Sequence, residues 1–227
     1  MKFSVLISVY KTEEPKFLEE ALNSIWFDQS VRPNEIICVI DGPIPTNLLN
    51  AVNSFKEGLG DEFKAFQLDR NIGLGPALAF GLSKCSFDLV ARMDTDDISH
   101  ENRFQTQINH FKANTKLDVL GSNAAEFSLD HLIIDSIRKV PLDHSSIIKK
   151  AKYRNPMNHP SIMYRKSSVL RAGGPKKFIG FDDYYLWVRM IINGSKFSNI
   201  DESLISLRAG VKLIDRRSGM SYIKNEL

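Results

Sequence analysis

Short, almost unbroken apolar runs alternate with stretches of helical period through the first half of the chain. Residues 3–9 form one such run, as expected of a strand covered on both faces. Pro15 then opens a helix carrying Phe17, Leu18, Ala21, Leu22 and Ile25 on one side. Residues 35–40 read as a second strand, rich in β-branched side chains and closed by the turn residues Asp41-Gly42-Pro43. A helical pattern at 48–55, an alternating strand at 63–68 and a helix at 73–82 with Pro76 in its first turn follow. A fourth strand, 87–93, runs directly into Asp94-Thr95-Asp96-Asp97.

Alternation of this kind predicts an α/β fold: a mostly parallel central sheet, right-handed crossovers and helices on both faces. Ligands of such sheets sit beyond the carboxyl ends of the strands. Those ends carry Ser8, Val9, Tyr10 and Lys11 after the first strand and Asp41 after the second. Asn71 and Gly73 follow the third, and the acidic cluster follows the fourth. One rim therefore gathers the polar groups. The second half is less regular. Strands are expected at 117–127, 132–140 and 161–164, helices at 145–152, 167–172 and 182–192, and a hairpin or strand pair at 197–208. With no internal repeat, low-complexity tract or linker, residues 1–227 read as a single domain.

Composition narrows the class without naming the chemistry. At 227 residues, 43% hydrophobic and 25% charged, the chain suits one large α/β domain. A net charge of +3 suits an anionic substrate or a membrane surface and does not specify nucleic acid. Cys38 and Cys85 lie in apolar surroundings without metal-ligand spacing and read as buried free thiols. The N-terminal residues lack a small-residue cleavage site, and no segment approaches the roughly 20 apolar residues that span a bilayer. A cytoplasmic protein, or one peripheral on the inner membrane, is expected. The cluster Lys149, Lys150, Lys152 and Arg154 is either a solvated helix face or a patch for anionic lipid.

Asp94, Asp96 and Asp97 repel one another unless a cation or hydrogen-bond donors offset them. A hard divalent ion would do so while bridging to nucleotide phosphates. The structural alternative is an Asx turn with Asp97 or Ser99 capping a helix over 98–111, which accounts for one of the acids but not for three. Haloacid-dehalogenase phosphatases also place Asp-x-Asp after a strand, but early in the chain and with a Thr or Val soon after. Here Ile98-Ser99-His100 follows, and the cluster comes late. Gly73-Leu74-Gly75 lacks the lysine of a P-loop and the third glycine of a dinucleotide fingerprint, so it reads as a helix start.

Taken in order, six segments resemble family 2 glycosyltransferases. They are residues 4–10, residues 36–42, Arg70-Asn71-Ile72-Gly73-Leu74-Gly75, Ala91-Arg92-Met93-Asp94-Thr95-Asp96-Asp97, Asn158-His159-Pro160 and Asp182-Asp183-Tyr184-Tyr185-Leu186-Trp187. The likeness covers essentially the whole chain. It is closest to the bacterial branch that builds exopolysaccharide and O-antigen repeats, such as amylovoran-type galactosyl- or glucosyltransferases. It implies a Rossmann-like GT-A fold, with residues 1–100 as the nucleotide-sugar-binding half and 101–227 as a smaller acceptor-side half. It also implies a nucleotide-sugar donor, commonly UDP-linked, Mn²⁺ or Mg²⁺, inversion at the anomeric carbon, and a glycan acceptor carried on a lipid diphosphate.

Carried over by motif, the backbone of Ser8, Val9 and Tyr10 and the Asp41 carboxylate resemble the nucleobase contacts, with Asn71 beside them. Asp94 resembles the ribose or donor contact, and Asp96, with Asp94, the metal ligand. The family's downstream Glu-Asp falls on Asp182-Asp183. This departs by one methylene at the first acid and points to Asp183, with Asp182 as the alternative, as general base. Arg92 reaches the donor phosphates or pairs with the nearby acids. His159, Tyr184 and Trp187 are candidate acceptor contacts, against structural roles for His159 and Trp187. Relatives often continue with further helices beyond the point matching Arg216-Arg217-Ser218-Gly219, so a truncated form or a more open acceptor side is expected.

Inverting transfer needs a carboxylate within reach of the attacking hydroxyl and positive charge at the departing diphosphate, which explains two separated sets of acids. A glycosidase would instead need an acid for its leaving oxygen and water as nucleophile. Two alternatives remain. A nucleotidyltransferase would carry a Gly- and Lys/Arg-rich loop where Tyr10-Lys11-Thr12-Glu13 stands. A non-catalytic glycan- or partner-binding module would have no need to keep both acid sets.

Overall fold

The computed structural model describes residues 1–178 and 180–208. In its first half β1 (Phe3–Val9), α1 (Pro15–Trp26), β2 (Glu35–Ile40), α2 (Thr46–Leu59), β3 (Phe63–Gln67), α3 (Leu74–Lys84) and β4 (Leu89–Met93) alternate. The second half contains β5 (Ile98–Ser99), α4 (Arg103–Ala113), β6 (Val119–Phe127), β7 (Ser136–Arg138) and α5 (His144–Lys150). It ends with β8 (Met163–Arg165), α6 (Lys166–Arg171), α7 (Asp182–Ile192) and β9 (Phe197–Arg208). All the strands join one mixed sheet in the order β3-β2-β1-β4-β8-β6-β9-β5, with β7 attached to β6. The antiparallel pairing of β4 with β8 carries the sheet from the first half into the second.

The period-two geometry of the strands divides the core into two layers. Phe3, Val5, Ile7 and Val9 of β1 pack with Ile36, Cys38 and Ile40 of β2 against α1, α2 and α4. Leu6, Ile37 and Val39 face the other way, onto α3 and α7. Each such side chain contributes about 1.5–3 kcal/mol when fully buried. A Cβ at Gly81 would strike Leu6 and Val39, so the glycine lets α3 lie close on the sheet. Parallel register then aligns the strand ends: Val9 pairs with Ile40, and Ile7 with Met93. Asp41 and Asp94 thus follow directly from neighbouring strands on one rim.

Burial pushes both free thiols, Cys38 and Cys85, up to about 12. Other expectations are corrected. No helix spans 98–111. Ile98 and Ser99 instead pair with Ser206 and Ile205 of β9, and Ser99 N donates to Ser24 Oγ. The helix starts at Arg103 with Asn102 at its cap position, so neither Asp97 nor Ser99 caps it. The strand expected at 132–140 shrinks to β7. Leu132 and Ile133 are exposed, and Leu132 N closes a turn onto Asp130 Oδ1. Residues 159–161 form a 3-10 turn ahead of β8. The hairpin expected at 197–208 is one 12-residue strand. Its polar middle is a bulge, held where Asn123 Nδ2 donates to Asp201, and the register against β6 shifts there. Arg216-Arg217-Ser218-Gly219 lie outside the described residues.

Candidate active site

Asp41 organises one end of the rim. Its Oδ2 accepts from Asn71 Nδ2 at 2.6 Å and Gly73 N at 3.0 Å, and its Oδ1 accepts from Ile72 N at 2.8 Å. The three donors satisfy this buried carboxylate, which pins the loop between β3 and α3. Gly42 is required beside it. Its φ is +87°, and a Cβ there would come within 2.5 Å of Asn71 N. Ser8 and Tyr10 are half-buried at the same rim. The Val9 side chain is fully buried in the core, and its carbonyl already accepts from Asp41 N at 2.9 Å. Any contact from Val9 is therefore through its backbone, as expected.

In the acidic cluster the side chains alternate. Asp94 and Asp96 are half-buried at the rim, while Thr95 and Asp97 are buried. Arg92 pairs with Asp94 Oδ1 at 2.7 Å, donates to Leu6 O at 2.9 Å and to Met93 O, and sends its Nε to His159 Nε2 at 3.3 Å. Its guanidinium is committed inside the protein, so the reach toward donor phosphates is corrected to a structural ion pair. Arg103 is fully buried beneath, donating to Arg92 O at 2.7 Å. Burial draws its pKa down to about 9, and Asp97 and Asp94 oppose that shift. Burial, then Asp96 and Asp94, push Asp97 well above the usual carboxylate range, although Arg208 N donates to it at 3.1 Å.

The cluster's repulsion is therefore partly answered from within by two arginines. Among the described residues no group of three His, Cys, Asp or Glu gathers as a metal shell. Asp94 and Asp96 still offer two hard oxygen donors at the rim. That suits a Mg²⁺- or Mn²⁺-like ion whose shell is completed by a ligand's phosphates and water. Asp97 belongs to the interior.

The second acid set opens α7. Asp182 Oδ1 accepts from Phe178 N at 2.7 Å and packs against α3, where a Cβ at Gly75 would approach it to 2.7 Å. Burial raises its pKa against that hydrogen bond. Asp183 Oδ2 accepts from Asn155 Nδ2 at 2.6 Å. Burial holds His159 low, opposed by Asp183, so its neutral ring can accept from Arg92. Asp94, Arg92 and His159 thus form a polar line toward Asp183. The two acids, Gly75, Arg92 and His159 also line a cavity of about 20 Å³.

Of the three candidate acceptor contacts, Trp187 is fully buried and packs edge-on to His159 and Phe197, which corrects it to a core residue. His159 is tethered to Arg92. Tyr184 donates its hydroxyl to Ala151 O at 2.7 Å and lines a cleft of about 820 Å³. Sequence reading missed Arg103 and Asn155. The first had a signal: Arg103 and Gln107, four apart, sit on the helix face that carries Phe104, Ile108 and Phe111.

With the geometry in place, the comparisons decide the class. The Glycosyl transferase family 2 pattern matches residues 4–174. The chain belongs to glycosyltransferase family 2. It is 37% identical over 226 residues to an Escherichia coli UDP-Gal:alpha-D-GlcNAc-diphosphoundecaprenol beta-1,3-galactosyltransferase, covering 100% of this chain and 81% of that one. It is 35% identical over 225 residues to the amylovoran biosynthesis glycosyltransferase AmsE of Erwinia amylovora, covering 99% and 83%. Among solved structures, S. aureus TarS 1-349 in complex with UDP-GlcNAc superposes with a TM-score of 0.72 at 20% identity. The match covers 92% of this chain and 58% of the TarS chain, so the family 2 glycosyltransferase described here spans little more than half of that structure. A Pyrobaculum calidifontis mannosyltransferase in complex with GDP-Man and Mn2+ gives 0.68 at 15%, covering 91% and 56%. These likenesses establish the GT-A fold.

Proposed function

We propose that this glycosyltransferase moves a hexose from a nucleotide diphosphate sugar, UDP-linked, to a hydroxyl of a lipid-diphosphate-linked glycan, with inversion and with a divalent metal. The observation that carries the reading is the division of acids. Asp94 and Asp96 stand at the strand-end rim beside Asp41, and Asp183 stands apart on α7, tied to the wall of the wide cleft. The name of the Escherichia coli relative supplies the donor and acceptor class, and that of the Erwinia relative places its enzyme in polysaccharide biosynthesis.

In this reading Ser8, Tyr10 and the Asp41–Asn71 corner hold the nucleoside. Asp183 accepts the acceptor hydroxyl's proton as that oxygen bonds to the anomeric carbon. The bond from that carbon to the diphosphate breaks on the opposite face, and its electron pair leaves with the nucleoside diphosphate. A metal held by Asp94 and Asp96 would supply charge stabilisation to that leaving group. No described helix is long and apolar enough to cross a membrane. Exposed Leu129, Leu132, Ile133 and Ile137, next to Arg138 and Lys139, support peripheral contact with the bilayer that carries the acceptor. The test is product detection with a panel of UDP- and GDP-hexoses and a short-chain sugar diphosphate lipid, with the anomeric configuration read by NMR. A retained configuration, or nucleotide-sugar synthesis from a nucleoside triphosphate, would sink the reading.

A further inference from the structure

The wide cleft beside α7 has a charge pattern that the donor site does not use. Arg138, Lys139, Lys150, Lys152 and Arg154 line it, and no carboxylate does. Arg138 is already paired with Glu126, whereas the other four have no carboxylate partner among the described residues. Four cations gathered without a counter-charge repel one another and raise the local concentration of a multivalent anion. Phe178, Phe181, Tyr184 and Tyr185 supply aromatic surface along the same cleft, of the kind that packs on a sugar face.

Position separates this cleft from the donor rim: Ser8, Tyr10, Asp41, Asn71, Asp94 and Asp96 are all absent from its lining. The first turn of α7 stands at the junction. Asp182 packs on Gly75 of α3, and Asp183 is bonded to Asn155, which is itself part of the cleft wall. A sugar whose hydroxyl meets Asp183 from the cleft side would carry its anomeric substituent among the cations.

Resting on the proposed transfer reaction, we propose that this cleft seats the acceptor's diphosphate, with Lys139, Lys150, Lys152 and Arg154 as its counter-ions. The site therefore selects acceptors by their diphosphate as well as by their sugar. The test uses the whole chain and three acceptors bearing the same sugar: an alkyl diphosphate, an alkyl monophosphate and a simple alkyl glycoside. Wild type is compared with Lys150→Gln, Lys152→Gln and Arg154→Gln, singly and combined. Each loss of a charge-assisted contact should raise KM for the diphosphate acceptor about tenfold. Donor KM, kcat and the KM for the alkyl glycoside should stay unchanged.

A rise in donor KM instead would assign the cations to the nucleotide and overturn the proposal. Equal use of the monophosphate, or unchanged acceptor KM in the triple variant, would overturn it as well. If wild type transfers to none of the three, the reaction assigned above fails. The cleft is then judged by calorimetric titration of the sugar alkyl diphosphate with saturating nucleoside diphosphate present. Binding that weakens in the triple variant supports the site, and equal or absent binding ends it.

Discussion

Asn155 donates to the Oδ2 of Asp183 at 2.6 Å across the junction between the wide cleft and α7, while Asp182, one residue earlier, is tied to its own loop at Phe178 N. The two adjacent acids therefore do different things. Asp183→Asn should lower kcat by roughly 10²–10⁴-fold with donor affinity nearly unchanged, because it removes the proton acceptor and leaves the nucleotide rim intact. Asp182→Asn keeps an oxygen for Phe178 N and should cost far less activity. Asn155→Ala should lower kcat about tenfold with little change in KM for either substrate, the mark of a residue that orients the base. Steady-state kinetics with both substrates varied checks all three. An Asp182→Asn loss that matched Asp183→Asn would reassign the base.

The acidic cluster gives a second, independent test. A nucleoside diphosphate with Mn²⁺ at about 100 Kd should stabilise the protein by about 2.7 kcal/mol, a rise of several degrees in melting temperature. A chelator should remove the rise, and Asp96→Ala should abolish it. Asp97→Asn should do the opposite to the metal-free protein and raise its melting temperature. Burial and two neighbouring carboxylates push Asp97 upward, so holding a charge there costs stability when no cation is bound. An amide oxygen can still accept from Arg208 N. Differential scanning fluorimetry of the variants, with and without nucleotide and metal, separates the roles. A nucleotide shift that survives in Asp96→Ala would remove that residue from the metal site.

The parallel half of the sheet, the rim and the α7 acids were legible because local pattern determines them: buried parallel strands are apolar throughout, and turns fall where Gly and Asp stand. Two kinds of information were not. Arg103 turns inward beneath Arg92, and which of its two expected partners Arg92 takes depends likewise on strands and helices far apart in sequence. The polar stretch Asp201-Glu202-Ser203 looks like a turn, yet it is a bulge in β9, because Asn123 on β6 supplies the partner that keeps the strand continuous. The cationic cleft was half visible. Lys150, Lys152 and Arg154 stood out as a run, but Lys139 and the aromatic wall join them only through the tertiary fold.

Gly42 tests whether the Asp41 corner matters as a shape. Gly42→Ala places a Cβ against Asn71 N and forces a left-handed conformation, which costs about 1–2 kcal/mol even without the clash. The variant should melt several degrees lower and bind nucleoside diphosphate more weakly, as the 71–73 loop is pushed from the carboxylate. Asp41→Ala should weaken nucleotide binding further, since it removes the acceptor for three donors. Calorimetric titration with UDP reads both. Unchanged affinity in either would detach the loop from the nucleotide site.

The last prediction concerns acid. His144 Nδ1 accepts from Phe197 N at 3.3 Å, with its ring stacked on Phe197, and burial together with Lys196 lowers its pKa. Burial lowers His100 also, where its Nε2 meets Ser206 Oγ at 2.8 Å. Both folded-state values lie below the unfolded value near 6.5, so between the two the unfolded chain holds more protons. The stability these neutral rings provide is therefore complete above about pH 6.5 and is lost as pH falls through their folded values. Melting temperature should drop as pH falls from 7 to 5. His144→Gln should flatten part of that slope, because glutamine can accept from Phe197 N without titrating. A slope left unchanged by His144→Gln, and equally by His100→Gln, would place the acid sensitivity elsewhere in the protein.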